Sequence, residues 1–153
     1  MKEHFCKILF ILTVLLSLFS FDVKQSTTGK VIVTAYNFKD NSGKALLTLY
    51  SSINASDYPT NPAKSFRQAT AGIVNNTATF VLDAVPYGTY AIAILHDDNN
   101  NNAFDTNFIG MPKEGMGASR DAKGSMGPPK FEDAKFQVNT QSTSLKIKMS
   151  YLF

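Results

Sequence analysis

Near the end of the chain, apolar and polar residues alternate with a period of two. Leu145, Ile147, Met149 and Tyr151 are interleaved with Lys146, Lys148 and Ser150. A strand turns successive side chains to opposite faces, so this pattern puts one face on a core and the other in water, whereas helical spacing would scatter the apolar set. The clearest strand is therefore Ser144 to Leu152. Thr77 to Leu82 repeats the logic with Ala78, Phe80 and Leu82 inward, and the preceding Asn75-Asn76 suits a tight hairpin turn because asparagine tolerates positive φ. Five further segments rich in β-branched and aromatic residues are set off by Gly, Pro, Asn and Asp: Lys30 to Tyr36, Lys44 to Ser51, Ala69 to Val74, Thr89 to Leu95 and Lys135 to Val138. The expectation is an all-β fold, an antiparallel seven-stranded β-sandwich. Between Tyr50 and Arg67 the alternation lapses, and Asp57, Pro59, Asn61 and Pro62 mark a connection with one helical turn around Pro62 to Phe66.

A chain of 153 residues with 44% hydrophobic and 18% charged residues has the size of one domain and enough apolar content to fill one core, which excludes a disordered chain. The net charge of +3 is small and the lysines are spread out, so electrostatics makes no case for nucleic acid or an anionic membrane as partner.

The chain opens with Lys2 and Lys7, followed by an apolar run from Ile8 to Phe21 broken only by Thr13, Ser17 and Ser20. This reads as a secretory signal peptide over residues 1–20, cut near Ser20, ahead of a single β-sandwich domain over 21–153. The run is shorter than the roughly 18 to 20 residues a spanning helix needs, so no stable membrane span is expected after its removal. The expected destination is outside the cytoplasm: periplasmic, on the outer surface or secreted. Cys6 is the only cysteine and precedes the apolar run, so it serves neither as a lipid acceptor nor in a disulfide of the processed protein, whose stability rests on packing.

More than thirty residues, about 96–130, separate the fifth segment from the sixth. Connections of this length in a compact domain are functional or held by something. This one opens His96-Asp97-Asp98-Asn99-Asn100-Asn101-Asn102-Ala103-Phe104-Asp105. Counted from Asp97, side-chain oxygens fall at positions one, three, five and nine (Asp97, Asn99, Asn101, Asp105), with the carbonyl of Ala103 at seven. That is the spacing of an EF-hand-type calcium loop, because a hard cation takes six or more oxygens and alternate residues of a tight loop point inward together. Two positions depart from the pattern. Position six is Asn102 in place of glycine, which still adopts the left-handed conformation, and position twelve is Phe108 in place of glutamate, leaving Glu114 or Asp98 as the replacement ligand. With two certain carboxylates, calcium affinity is expected at about 10⁻⁴ to 10⁻³ M, as in extracellular modules, and the site would be structural. The competing reading is a solvated asparagine-rich turn whose side chains bond their own backbone.

The stretches His96 to Gly117 (HDDNNNNAFDTNFIGMPKEGMG) and Gly127 to Phe136 (GPPKFEDAKF), with Val85-Pro86-Tyr87-Gly88-Thr89-Tyr90 upstream, carry a resemblance. From about Gly29 to Tyr151 the chain resembles the secreted bacterial proteins grouped as domain of unknown function 2141. The resemblance implies a signal-bearing β-sandwich of immunoglobulin-like or prealbumin-like type with no assigned activity. It also implies glycines where this chain has Asn100 and Asn102, and an aromatic residue in place of Met116. Tyr90 is read as a core or corner tyrosine.

The expected function is a non-enzymatic binding or structural module in the cell envelope, with an envelope protein or glycan as partner. Phe104, Phe108, Met111, Met116 and Met126 either fold back to cap the sandwich, the first expectation, or offer an adaptable contact surface on a rigid body. The alternative is an envelope hydrolase using His96, the one histidine of the processed chain, with loop carboxylates Glu114, Asp121, Glu132 or Asp133. No nucleophile elbow or phosphate loop accompanies them. The interleaved Lys113, Arg120, Lys123 and Lys130 point to local charge balance instead.

Overall fold

The computed structural model describes residues 26–125 and 127–152; the expected signal peptide with Cys6, and Met126, lie outside the described residues. The strands run β1 (Thr28–Tyr36), β2 (Lys44–Ser51), β3 (Arg67–Ala71), β4 (Thr77–Pro86), β5 (Gly88–Asp97), β6 (Met116–Ala118), β7 (Phe136–Val138) and β8 (Ser142–Lys148). They form two sheets. One has the order β4-β1-β8, and the other β3-β2-β5-β6 with β7 also on β5. The chain is all-β, as its alternation predicts, but two details of the expected topology need correction.

The described strands number eight, since Met116–Ala118 pairs with β5. They are also not antiparallel throughout, because β8 runs parallel to β1 from Lys30↔Ser142 to Tyr36↔Lys148. The chain reaches β8 from β7 in the other sheet and so enters at the end where β1 also begins. A parallel neighbour then forms without the long crossover that two strands of a single sheet require.

The core follows from the alternation. Val31, Val33 and Ala35 of β1, Ala78, Phe80 and Leu82 of β4, and Ile147 of β8 meet Leu47 and Leu49 of β2 and Ile92 and Ile94 of β5. Along β4 the rhythm slips by one residue after Leu82, and Val85 is the next side chain inside. A bulge causes the slip: Gly29 pairs with Val85 and Val31 with Leu82, so Asp83 and Ala84 together face Lys30. Ala84 absorbs the extra residue at φ 53°. Asn75 and Asn76, at φ 51° and 58°, make the expected hairpin turn, closed by reciprocal bonds between Val74 and Thr77. Tyr90 is a corner tyrosine, buried, with its hydroxyl donating to the Pro86 carbonyl at 2.9 Å.

The second sheet is covered on its outer face too. There Tyr50 and Ala91 pack with Tyr58, which follows a short 3₁₀ turn at Ser52–Asp57, and with Phe131 and Ala134 of a helical turn at Phe131–Ala134; a second 3₁₀ turn spans Pro62–Lys64. Rings meet edge to face, Tyr50 with Tyr58 at 5.4 Å and Tyr58 with Phe131 at 6.1 Å.

Strand β5 is thus buried on both faces. One edge is paired to β2 along its length, while the other is shared by β7 at residues 88–90 and β6 at 93–95. Ile92 falls between the two partners, and two hydroxyls stand in for the missing strand. Ser119 Oγ accepts the Ile92 N–H at 2.9 Å and donates to the Ala134 carbonyl at 2.6 Å, while the Tyr58 hydroxyl donates to the Ile92 carbonyl at 3.2 Å. A buried backbone donor without a partner costs about 1–3 kcal/mol. Ser119→Ala should therefore lower the unfolding free energy in urea by about that amount, and a loss below roughly 0.5 kcal/mol would show that Ile92 finds another acceptor.

Candidate functional site

At one end of the two sheets the last residues of β5 carry a chain of buried polar groups. His96 and Asp97 are fully buried, and Glu114 nearly so. The backbone approach is tight. A side chain on Gly43 would place its Cβ 1.9 Å from the Asp97 carbonyl oxygen, and one on Gly115 would lie 2.2 Å from the Tyr151 ring, so only glycine fits at either position.

His96 Nε2 lies 2.9 Å from the Ser42 carbonyl, and Nδ1 lies 2.9 Å from the Tyr151 hydroxyl. A carbonyl only accepts, so Nε2 donates to Ser42, and Nδ1 is paired with the tyrosine hydroxyl. The tyrosine oxygen in turn accepts the Lys39 N–H at 3.0 Å, and burial pushes this hydroxyl above its ordinary range. Phe38 stands edge-on to the imidazole at 5.2 Å. The ring therefore ties three separate segments together and has no nitrogen left to offer a substrate.

The next residue organises the loop. Asp97 Oδ1 accepts the N–H of Asn101 and Oδ2 that of Asn102, each at 3.0 Å, and Lys44 Nζ stands 3.4 Å from Oδ2. Asn100 and Asn102 both lie at φ 62°, the left-handed turns for which the resemblance implies glycine. Asn99 Oδ1 accepts the Asn101 N–H at 3.0 Å and Asn101 Oδ1 the Ala103 N–H at 2.7 Å. Their amide nitrogens converge on Asp105 Oδ2 at 2.6 and 2.9 Å. The structure thus brings Asn99, Asn101 and Asp105 together and sets Asp97 beneath them, bonded to the backbone in the way the turn reading expects.

Phe108 is 99% exposed and takes no part in this. Glu114, one of the two replacements considered, bridges the loop instead: Oε1 accepts the Asp98 N–H at 3.3 Å and Oε2 the Asp105 N–H at 3.0 Å. Asp98, the other replacement, turns its carboxylate to Lys39 at 2.9 Å. Among the described residues no three His, Cys, Asp or Glu side chains stand together as metal ligands. A cation here would rest on the two carboxylates of Asp97 and Asp105 with amide and carbonyl oxygens, a donor set that fits a weakly held hard ion.

Beyond Asp105 the loop forms a second, tighter turn. Thr106 bridges Pro112, Asn107 N–H donates to the Met111 carbonyl at 2.8 Å, and Gly110 N–H to the Asn107 carbonyl at 2.9 Å. Asn107 Oδ1 accepts the N–H of Ile109 at 3.0 Å and of Met111 at 2.9 Å. The expectation that the apolar loop residues fold back to cap the sandwich fails here: Phe108 is 99%, Ile109 63% and Phe104 49% exposed. Phe38 and His96 already fill the end of the core, and the Asn107 carboxamide closes the turn with positions 108 and 109 outward. Met116 lies on β6 and Met111 is half-buried.

The remaining loop carboxylates do not assemble around His96. Asp121 accepts the Lys148 N–H at 2.9 Å on the outer edge of β8, Glu132 pairs with Lys135, and Asp133 is exposed. Sequence reasoning missed the Tyr151–His96 bond, the Lys44–Asp97 pair and the bridging role of Glu114. Gly115 and Gly117, two small residues flanking Met116, were the available signal that a strand packs closely at this point.

The molecule is an all-β protein of two sheets in which a long loop is pinned to the end of the central strand by buried polar groups. The family model described as an uncharacterized protein conserved in bacteria (DUF2141) matches residues 26–146, and the chain belongs to that family. No curated protein and no solved structure matches it.

Burial, more than the neighbouring Asp105 and Asp98, holds the Glu114 carboxyl above its ordinary value of 4.5, against the two backbone donors that favour its anion. The folded chain thus keeps a proton that the unfolded chain releases, and stability is lost as pH rises through the raised value. Chemical-denaturant melts stepped upward from pH 4.5 should show this fall, and Glu114→Gln should flatten it. An unchanged slope in the variant would assign the titration to another group.

Proposed function

We propose that this protein is an exported, non-enzymatic β-sandwich module of immunoglobulin-like or prealbumin-like type. It works in the cell envelope, as a periplasmic, surface-bound or secreted protein, and binds an envelope component through the loop after β5. The observation that carries this reading is the turn at 106–112, where an internally bonded backbone holds Phe108 and Ile109 in solvent. Large apolar side chains displayed together on a rigid support mark interaction sites. The hydrolase reading has less behind it, because the one available base, His96, is buried with both nitrogens engaged. Capture of envelope components should fall at least tenfold for Phe108→Ser/Ile109→Ser at unchanged melting temperature. A partner set identical to that of the unaltered protein would remove the turn from the contact.

The loop at its base is proposed to hold calcium weakly, through Asp97, Asn99, Asn101, Asp105 and the carbonyl of Ala103. The ion would supply a positive centre where Lys44 reaches only Asp97. Calorimetric titration into chelator-treated protein should give a Kd of about 10⁻⁴ to 10⁻³ M, abolished by Asp105→Ala. Neither heat nor a rise in melting temperature at millimolar calcium would leave the turn held by its own hydrogen bonds.

A further inference from the structure

Resting on the reading of the 106–112 turn as a contact surface, we propose that its occupant is the apolar boundary of a lipid bilayer, entered by Phe108 and Ile109 while the β body stays outside. Three features of the turn carry this. The first is area. A phenyl side chain offers roughly 200 Å², and adding Ile109 and Phe104 leaves the patch far below the about 800 Å² that each partner of a stable protein complex or dimer buries. A bilayer sets no such threshold, since it needs no complementary shape and takes up apolar groups by transfer free energy alone.

The second is hydrogen bonding. In hydrocarbon every unmatched backbone donor carries a large penalty. The N–H groups of Asn107, Ile109, Gly110 and Met111 are all bonded within the turn, two of them to the single oxygen of Asn107, so most of the tip's donors leave water without losing a partner. The third is charge. The seven residues from Thr106 to Pro112 carry none, so entry is apolar, which agrees with a chain whose small, dispersed charge gives no electrostatic attraction to a membrane. Each inserted side chain strengthens partitioning roughly tenfold or more, and two give a weak, reversible association.

The chain contains no tryptophan, so Phe108→Trp in the exported protein places the sole indole at the tip, on a side chain whose exposure keeps the substitution out of the core. Vesicles of phosphatidylcholine, and of phosphatidylethanolamine with phosphatidylglycerol, should both shift its emission to the blue and shield it from aqueous iodide, at low and high salt alike. Phe108→Ser/Ile109→Ser should partition into the same vesicles about a hundredfold or more less than the unaltered protein. Emission unchanged by either vesicle overturns the proposal, as does a shift confined to the anionic vesicles and reversed by salt. If vesicles give no shift but lipid-free envelope proteins do, the bilayer is wrong and the contact surface stands; no shift with either removes both.

Discussion

The architecture depends on the burial of β5 on both faces. A strand in that position must satisfy every backbone group without water, and the molecule meets the demand piecewise. Strand β2 covers one edge; β6 and β7 divide the other, and Ser119 and Tyr58 close the gap at Ile92 with hydroxyls. Much of the irregular chain is explained by this requirement. The turns at 52–57 and 131–134 bring aromatic cover to the outer face, and the segment after Met116 returns to the sheet because the edge of β5 needs it.

The same burial shapes the loop. When β5 ends, His96 and Asp97 are still inside, and polar side chains there require fixed partners. Asp97 receives the N–H groups of Asn101 and Asn102, Glu114 those of Asp98 and Asp105, and His96 joins the 38–43 connection to Tyr151. Lys44, Ser42 and Tyr151 tie this base to other stretches of the chain, so it behaves as part of the body. Its tip can then display Phe108 and Ile109 in one arrangement, with the ordering cost met on folding and not on contact.

Much of this was legible in the residues. Alternation located two of the eight strands, because a two-residue period has one structural meaning where one face is buried, and β-branched and aromatic runs between turn residues located five more. The Asn75-Asn76 pair flagged positive φ in its hairpin, and the glycine position of the calcium-like spacing flagged it at Asn102. The calcium-like spacing identified residues that meet in space, since the same left-handed turns that gather ligands around an ion also gather Asn99, Asn101 and Asp105 around one another. Strand β6 was not legible: three residues, two of them small, have no period to read. Glu114 was considered only as a stand-in ligand, and its buried bridge between the two ends of the loop rests on backbone donors that carry no sequence signature.

What the sequence alone determined is local: which residues face inward, where the chain turns, and that position 102 needs a left-handed conformation. Those properties reside in a few consecutive residues and in their intrinsic preferences. The parallel pairing of β8 with β1, the hydroxyls that complete β5, the closure of His96 on Tyr151 and the exposure of Phe108 were decided by the tertiary structure alone. Each depends on which distant segment occupies the neighbouring space, and an apolar residue in a loop reads the same whether that space is core or water.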